Sequence, residues 1–405
     1  MPGTRAIDYR EMKRQTELLG VEAACRHLTE ALEQKTLHPT DFSLRDIAEA
    51  YMGREWVDNL HPKRGRYQTA SVLEADGSAV AYSQFSNITG QLFFSMVKDN
   101  FDNEEFVFSK LIPSKPTNIL DMEKIPGISD VGDEFSVIGE AGEYPNFGVS
   151  EDYIEVASKE KRGGIVPVTK EAIFGDKTGK LLDRCKRLGY WLGYNKEKRL
   201  VDVVIDENGG AKSAALGGHR YHWRGTSYST YQTSTPYDNV TADNALVDES
   251  DLENAWLTLI RITDPFTGEP IMQQPKHLVV TPQLLMTASR ILHSTEVRVH
   301  AGGYNASATV NETISPPGFK ALPGMQNLQI VSSQLLAARQ ATDTDWQLGD
   351  LSKAFAYFAA WDVITEEAPA NSREAFTRDI VFQFKASEMG AGATLEPRVV
   401  TECRA

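Results

Sequence analysis

Along the first quarter of the chain the apolar positions recur at helical spacing. Met12, Leu18, Val21, Cys25, Leu28 and Leu32 fall three, four or six residues apart, which predicts an amphipathic helix over 9–34. Its stripe is too narrow to bury itself, so this helix is expected to pack within its own arm or on a neighbouring copy. "HPTD" breaks it, a second short helix runs through "SLRDIAEAYMG", and "NLHPKRGRYQ" reads as a polar, basic connector. A third helix is expected in "GQLFFSMVKDNF", led in by "SNIT", before "PSKPTN" breaks the chain.

From Ile119 the period changes to that of strands. "NILDMEKIP" reads as one short strand, and "EFSVIGE" and "EDYIEVASK" as the two arms of a long hairpin around the turn-rich "AGEYPNFGVS". Both arms carry carboxylates on their outward face, so the hairpin is expected to add nothing to a core. Thr169 is placed to cap a short helix in "KEAIFGD". A longer helix is expected from Asp176 or Thr178, with Leu181, Cys185, Leu188 and Leu192 as its stripe. Continued to Ile205, it would be about 40 Å long. Helices and strands then alternate. "SDLENAWLTLIRI" suggests a capping box of Ser250 with Glu253, and "KHLVV" a strand. In "TPQLLMTASRILHS", Thr281 stands at the expected cap and Pro282 at the first helical position. "LQIVSS", "AFAYFAAW" and "IVFQFKA" complete the strands, the last with Ile380, Phe382, Phe384 and Ala386 on one face.

Charge adds a feature that periodicity does not show. From Gly127 to Ser158 there are eight Asp or Glu and no Lys or Arg; from Lys159 to Arg199 there are twelve Lys or Arg and five Asp or Glu. Acidic and basic patches on one chain suit a head-to-tail contact between copies. The net charge of −14 over 405 residues argues against a general nucleic-acid binder. Three cysteines, Cys25, Cys185 and Cys403, are too few and scattered for a disulfide framework or zinc cluster, and a reducing cytosol suits their place of synthesis. Cys185 reads as a small core residue. The N-terminus lacks the pattern of a secretory signal, and no apolar run approaches membrane-spanning length.

The catalytic motifs fail one by one. "FGDKTGKLL" has Phe174 where a phosphate loop needs its first Gly, and Leu181 after Lys180 where it needs Ser or Thr. His219 and His222 in "GGHRYHWRG" are three apart but have no third ligand in view. Neither a nucleophile elbow nor a dinucleotide fingerprint occurs. No catalytic residue, metal or cofactor is therefore expected.

The element order, with "GQLFFSMVKDNFDNEEFVFSKLIP", "GGIVPVTKEAIF" and "NSREAFTRDIVFQFKASEMGAGATLEPR", resembles the major capsid proteins of tailed phages and prophages of the Hong Kong 97 type. The resemblance runs from about Tyr82 to Val400. It implies an α+β fold with a helical N-terminal arm (1–115) and a peripheral domain (116–126 and 159–205) with its spine helix. It further implies a projecting hairpin, the E-loop (127–158), an α/β axial domain (206–345), peripheral strands (346–390) and a C-terminal segment (391–405). In the family the E-loop lies across the peripheral domain of the adjacent subunit. Glu140 and Glu143 are then expected over Lys161, Arg162, Lys177, Lys180, Arg184 and Arg187 of a neighbour.

The function so implied is a self-assembling icosahedral head shell of hexamers and pentamers, made in the host cytoplasm and carried in the virion. Its partners are further copies of the chain, a portal, scaffolding or decoration proteins, and double-stranded DNA bound without sequence specificity; no membrane is involved. Relatives often lose an N-terminal scaffolding segment, a cleavage not expected here. Some cross-link an E-loop lysine, but this chain has no Lys between Lys124 and Lys159, so a non-covalent particle is expected. The alternatives are an encapsulin-like compartment shell, for which the arm is long, and an α/β enzyme.

Overall fold

The computed structural model describes residues 14, 18, 27, 30, 45, 49–50, 90, 92–126, 137–138, 140, 142–144, 152–169, 180–208, 211–212, 220–265, 267–293, 297–301, 311–315, 325–368 and 380–405. Arg14, Leu18, His27 and Glu30 are helical, as are Arg45, Glu49 and Ala50, at places where the apolar spacing predicts helices. Helix α1 (92–101) forms where "GQLFFSMVKDNF" predicts one. Helix α2 (Phe108–Leu111) is followed by strands β1 (Ser114–Pro116), β2 (Glu123–Pro126), β3 (Tyr153–Val156) and β4 (Glu160–Thr169). The long helix α3 (Lys180–Ile205) has 26 residues and ends at the residue expected. Strands β5 (Arg220–Trp223), β6 (Thr226–Tyr228) and β7 (Val240–Thr241) precede α4 (Glu249–Ile260), β8 (His277–Val280) and α5 (Leu285–His293). A hairpin of β9 (Val297–Ala301) and β10 (Asn311–Ser315) follows, then β11 (Gln329–Ser332), α6 (Gln334–Arg339), β12 (Trp346–Gly349) and α7 (Leu351–Ala354). The chain closes with β13 (Phe355–Ala368), β14 (Ile380–Thr394) and β15 (Val400–Cys403).

Five local readings need correction. Strand β3 pairs antiparallel with β2, Ile125 opposite Ile154, and on its other edge with β5, while Val137 and Ile138 in "EFSVIGE" are not in a strand. Ile125 packs on a buried cluster, whereas Val137 lies fully in solvent and has nothing to hold it in a sheet. For the same reason β3 is part of a core: Ile154 and Val156 are buried. Of "NILDMEKIP" only Glu123–Pro126 is strand. The cap of α4 is Asp248, with Asp251 completing the box. Carboxylates take these positions because they accept N–H bonds more strongly than a hydroxyl, and the Ser250 hydroxyl donates to Asp248. Thr281 does not cap α5. Its hydroxyl donates to the Asp343 carbonyl, and a turn carries the chain to Leu285. The short helix expected after Thr169, and the start of α3 before Lys180, lie outside the described residues.

The chain divides into two compact units. The first is Met1–Phe106, Lys161–Asn195 and Trp361–Met389; the second is Val107–Glu160, Lys196–Ala360 and Gly390–Ala405. In the first unit α1 buries Leu92, Phe93, Met96, Val97 and Phe101, the apolar face of an amphipathic helix. Phe93 stacks on Phe384 of β14 with ring centres 4.5 Å apart. Gly189 and Gly193, one turn apart on α3, sit against the backbone of Val97 and Phe101. A Cβ at Gly189 would collide with the Val97 carbonyl, so close helix packing explains two glycines in a helix interior.

The second unit holds a five-stranded sheet in the order β7-β15-β12-β8-β11. Its pairing is mixed: β12 runs antiparallel to both β8 and β15, while β11 pairs parallel with β8. Trp346, Leu348, Leu278, Val280 and Cys403 point to one face and join Leu252, Ala255, Ala288, Ile291 and Leu292 of the helices in the main core. A second sheet has the order β2-β3-β5-β6, with Ile154, Tyr221 and Trp223 in a cluster beneath it. Buried polar groups tie the C-terminus in. The Asn239 amide donates to the carbonyls of Thr230, Pro397 and Val400. Arg398, almost wholly buried, bonds Asp264 at 2.5 Å and Glu396 at 2.8 Å.

Candidate assembly surfaces

The loop between β2 and β3 is anchored at its base. Lys159, whose side chain is buried, pairs with Glu123 at 2.9 Å, and Thr117 donates to the same carboxylate at 3.0 Å. Burial alone would raise the Glu123 carboxyl, but the bonds from Lys159 and Thr117 outweigh it and hold the group below its ordinary value. On the next strands His222 pairs with Glu155 at 2.6 Å and stacks on Tyr153. These contacts give His222 a sheet role; His219 lies outside the described residues. Beyond the base, Glu140, Glu143 and Tyr144 are exposed.

The basic residues named from sequence belong to the first unit. Lys161 is exposed on β4, with its ammonium 5.6 Å from the Trp361 ring centre. Arg162 is half-buried on the same strand. Arg184 and Arg187 are both exposed on α3. Lys177 and the side chain of Lys180 lie outside the described residues. The structure thus brings Arg184 and Arg187 together on one helix, and Lys161 and Arg162 on one strand. Glu140 and Glu143 stand in the other unit.

Charge reading missed the apolar surface. On α3, Tyr190, Trp191 and Tyr194 form a ring cluster, with Trp191 meeting Tyr194 at 5.3 Å. Trp191 is nevertheless 60% exposed. In the second unit Ile119, Leu120 and Met122 are exposed in succession, Met122 by 59%. Large apolar side chains grouped in water mark contact surfaces. The signal was present in "YWLGY" and "NILDM", but the first reads as helix stripe and the second as strand. Cys185 and Cys403 are buried, and burial pushes their thiols up to about 12, opposite to the shift that thiolate chemistry requires; Cys25 lies outside the described residues.

Comparison with known proteins supplies the family. The family model described as "Phage capsid protein" matches residues 153–401. The chain belongs to the phage capsid protein family. It is a structural subunit of the virion's head shell, not an enzyme. No helix among the described residues is long and apolar enough to cross a membrane. No curated protein matches this capsid protein. Among solved structures it is similar to the capsid of cyanophage P-SCSP1u, at 13% identity over 74% of this chain and 88% of the other, TM-score 0.44. It is also similar to the capsid of a native GTA particle (9% identity; 74% and 90% covered; TM-score 0.45) and to Gordonia phage Cozz (13%; 74% and 87%; TM-score 0.41). The assignment rests on the family model.

Proposed function

We propose that this capsid protein has the Hong Kong 97-type architecture and closes a shell of hexamers and pentamers by laying the loop between Pro126 and Tyr153 across the adjacent subunit. In this reading α3 is the spine helix, β4 with the long strands β13 and β14 belongs to the peripheral domain, and the five-stranded sheet is the centre of the axial domain. The observation that carries it is the opposition of exposed charge: carboxylates at Glu140 and Glu143, cations at Lys161, Arg184 and Arg187. Lys177 and Lys180 extend the basic set by sequence. Each exposed pair is worth only about 0–1 kcal/mol. Repeated around a closed ring, such pairs set register and partner choice more than raw affinity.

Packaged double-stranded DNA, a portal, and scaffolding or decoration proteins complete the proposed set of partners. The particle is held together without covalent cross-links, because the loop has no amine to offer. Boiled and reduced shells should run at the monomer mass of 44.9 kDa; a ladder of multiples would sink this part of the reading. Exchanging charge across the contact tests the rest. Glu140→Lys with Glu143→Lys should abolish assembly, and Arg184→Glu with Arg187→Glu in the same chain should partly restore it.

A further inference from the structure

We propose that the second unit holds a divalent-cation site of the calcium type, built from Glu207, Asp345, Glu402 and Gln347. One oxygen from each of the three carboxylates lies within 4.8 Å of the others, and all three residues are buried. They come from three distant stretches of chain. Glu207 follows the end of α3, Asp345 immediately precedes β12, and Glu402 lies on β15. Nearby donors steady them: the Ala341 N–H bonds Glu207 at 2.6 Å, the Ala405 N–H bonds Asp345 at 3.0 Å, and Arg404 pairs with Glu402 at 2.8 Å. Three carboxylates at this spacing in the interior repel one another unless positive charge offsets them.

The second observation is Gln347. It is 1% exposed, and neither its amide oxygen nor its amide nitrogen has a hydrogen-bond partner in the protein. Leaving both unmade is costly for a buried amide. Gln347 stands directly opposite Glu402 in the β12–β15 pairing, so the two share a sheet face. Asp345, the residue before the strand, has a carboxylate oxygen within 4.8 Å of the same Glu402. The other face of the same strands carries Trp346, Leu348 and Cys403 into the apolar core. The amide is therefore directed to the face that carries Glu402, away from the apolar core.

Three carboxylates and an amide carbonyl are hard oxygen donors, without nitrogen or sulfur. Calcium accepts such irregular all-oxygen sets, including side-chain amides. Magnesium demands near-octahedral geometry and keeps most of its waters. A bound ion would tie the end of the long helix to the C-terminal strand, and binding only the folded state it would stabilise that state. The sequence hides the site because its ligands follow no local spacing.

The test uses the purified full-length protein, freed of metal with EDTA and titrated with CaCl2 or MgCl2 by calorimetry and thermal melting. One Ca2+ per chain should bind, with a rise in Tm that EDTA reverses. Asp345→Asn and Glu207→Gln should each weaken binding by about tenfold or more. In EDTA the Asp345→Asn protein should melt no lower than wild type, because it removes repulsion and can still accept the Ala405 N–H; a mere structural role predicts a lower Tm. Absence of Ca2+ binding to the folded wild type, or equal binding by both variants, overturns the proposal. Equal preference for Mg2+ overturns the assignment to calcium.

Discussion

Two groups of carboxylates in this capsid protein differ in every physical respect. Glu140 and Glu143 are neighbours in sequence and exposed. Glu207, Asp345 and Glu402 are far apart in sequence and buried within 4.8 Å of one another. The first group shows itself in a linear count of charge, but each member is energetically weak because water screens it. The second leaves no trace in the sequence, yet every member is costly to hold in the interior. In the proposed reading, charge that is grouped along the sequence and exposed to water acts between molecules. Charge that governs the fold has to be seen in three dimensions.

The largest effect expected from this contrast is on assembly. Glu140→Lys with Glu143→Lys should leave circular dichroism and Tm near wild type while sedimentation shows no shells. A double variant that assembles normally would break the comparison. Interior charge should behave in the opposite way. Arg398→Ala strands Asp264 and Glu396, and should lower folding stability by about 3–5 kcal/mol, measured by urea denaturation of the unassembled chain. A change below about 1 kcal/mol would show that these buried charges relax more easily than argued.

A smaller effect is expected at the base of the loop, where the two kinds of charge meet. The Glu123 carboxyl is held below its ordinary 4.5 in the folded chain. Its contribution is therefore fully present above pH 4.5 and lost as pH falls through the depressed folded value. Hydrogen exchange at 123–126 and 153–156 should quicken in that acid window before the five-stranded sheet opens. Glu123→Gln should remove the pH dependence. The smallest effect belongs to Glu140→Gln alone, which should alter assembly by no more than the 0–1 kcal/mol or so of one exposed pair.

Where a signal was local, the sequence was legible. The apolar stripe of α3 leads to a helix ending at Ile205, and "KHLVV", "LQIVSS" and "AFAYFAAW" all form strands. Cap and pairing choices were not legible to the same degree. Ser250 and Thr281 fit the pattern of caps, but Asp248 competes better for one helix and the Asp343 carbonyl claims the other hydroxyl. The partner of β3 was misread because alternation in "EFSVIGE" looks like strand, while burial favours Ile125 over Val137. The exposed Trp191 was hidden by its place beside the apolar stripe of α3, next to the buried Leu192.

The central claim is that the acidic loop of one subunit rests on the basic helix and strand of the next. Electron cryomicroscopy of particles assembled from the full-length protein tests it directly. Closed shells are expected in which Glu140 and Glu143 lie within ion-pair distance of Lys161, Arg184 or Arg187 of an adjacent subunit. Loop tips folded back onto their own subunit, or set against an uncharged part of the neighbour, would contradict it.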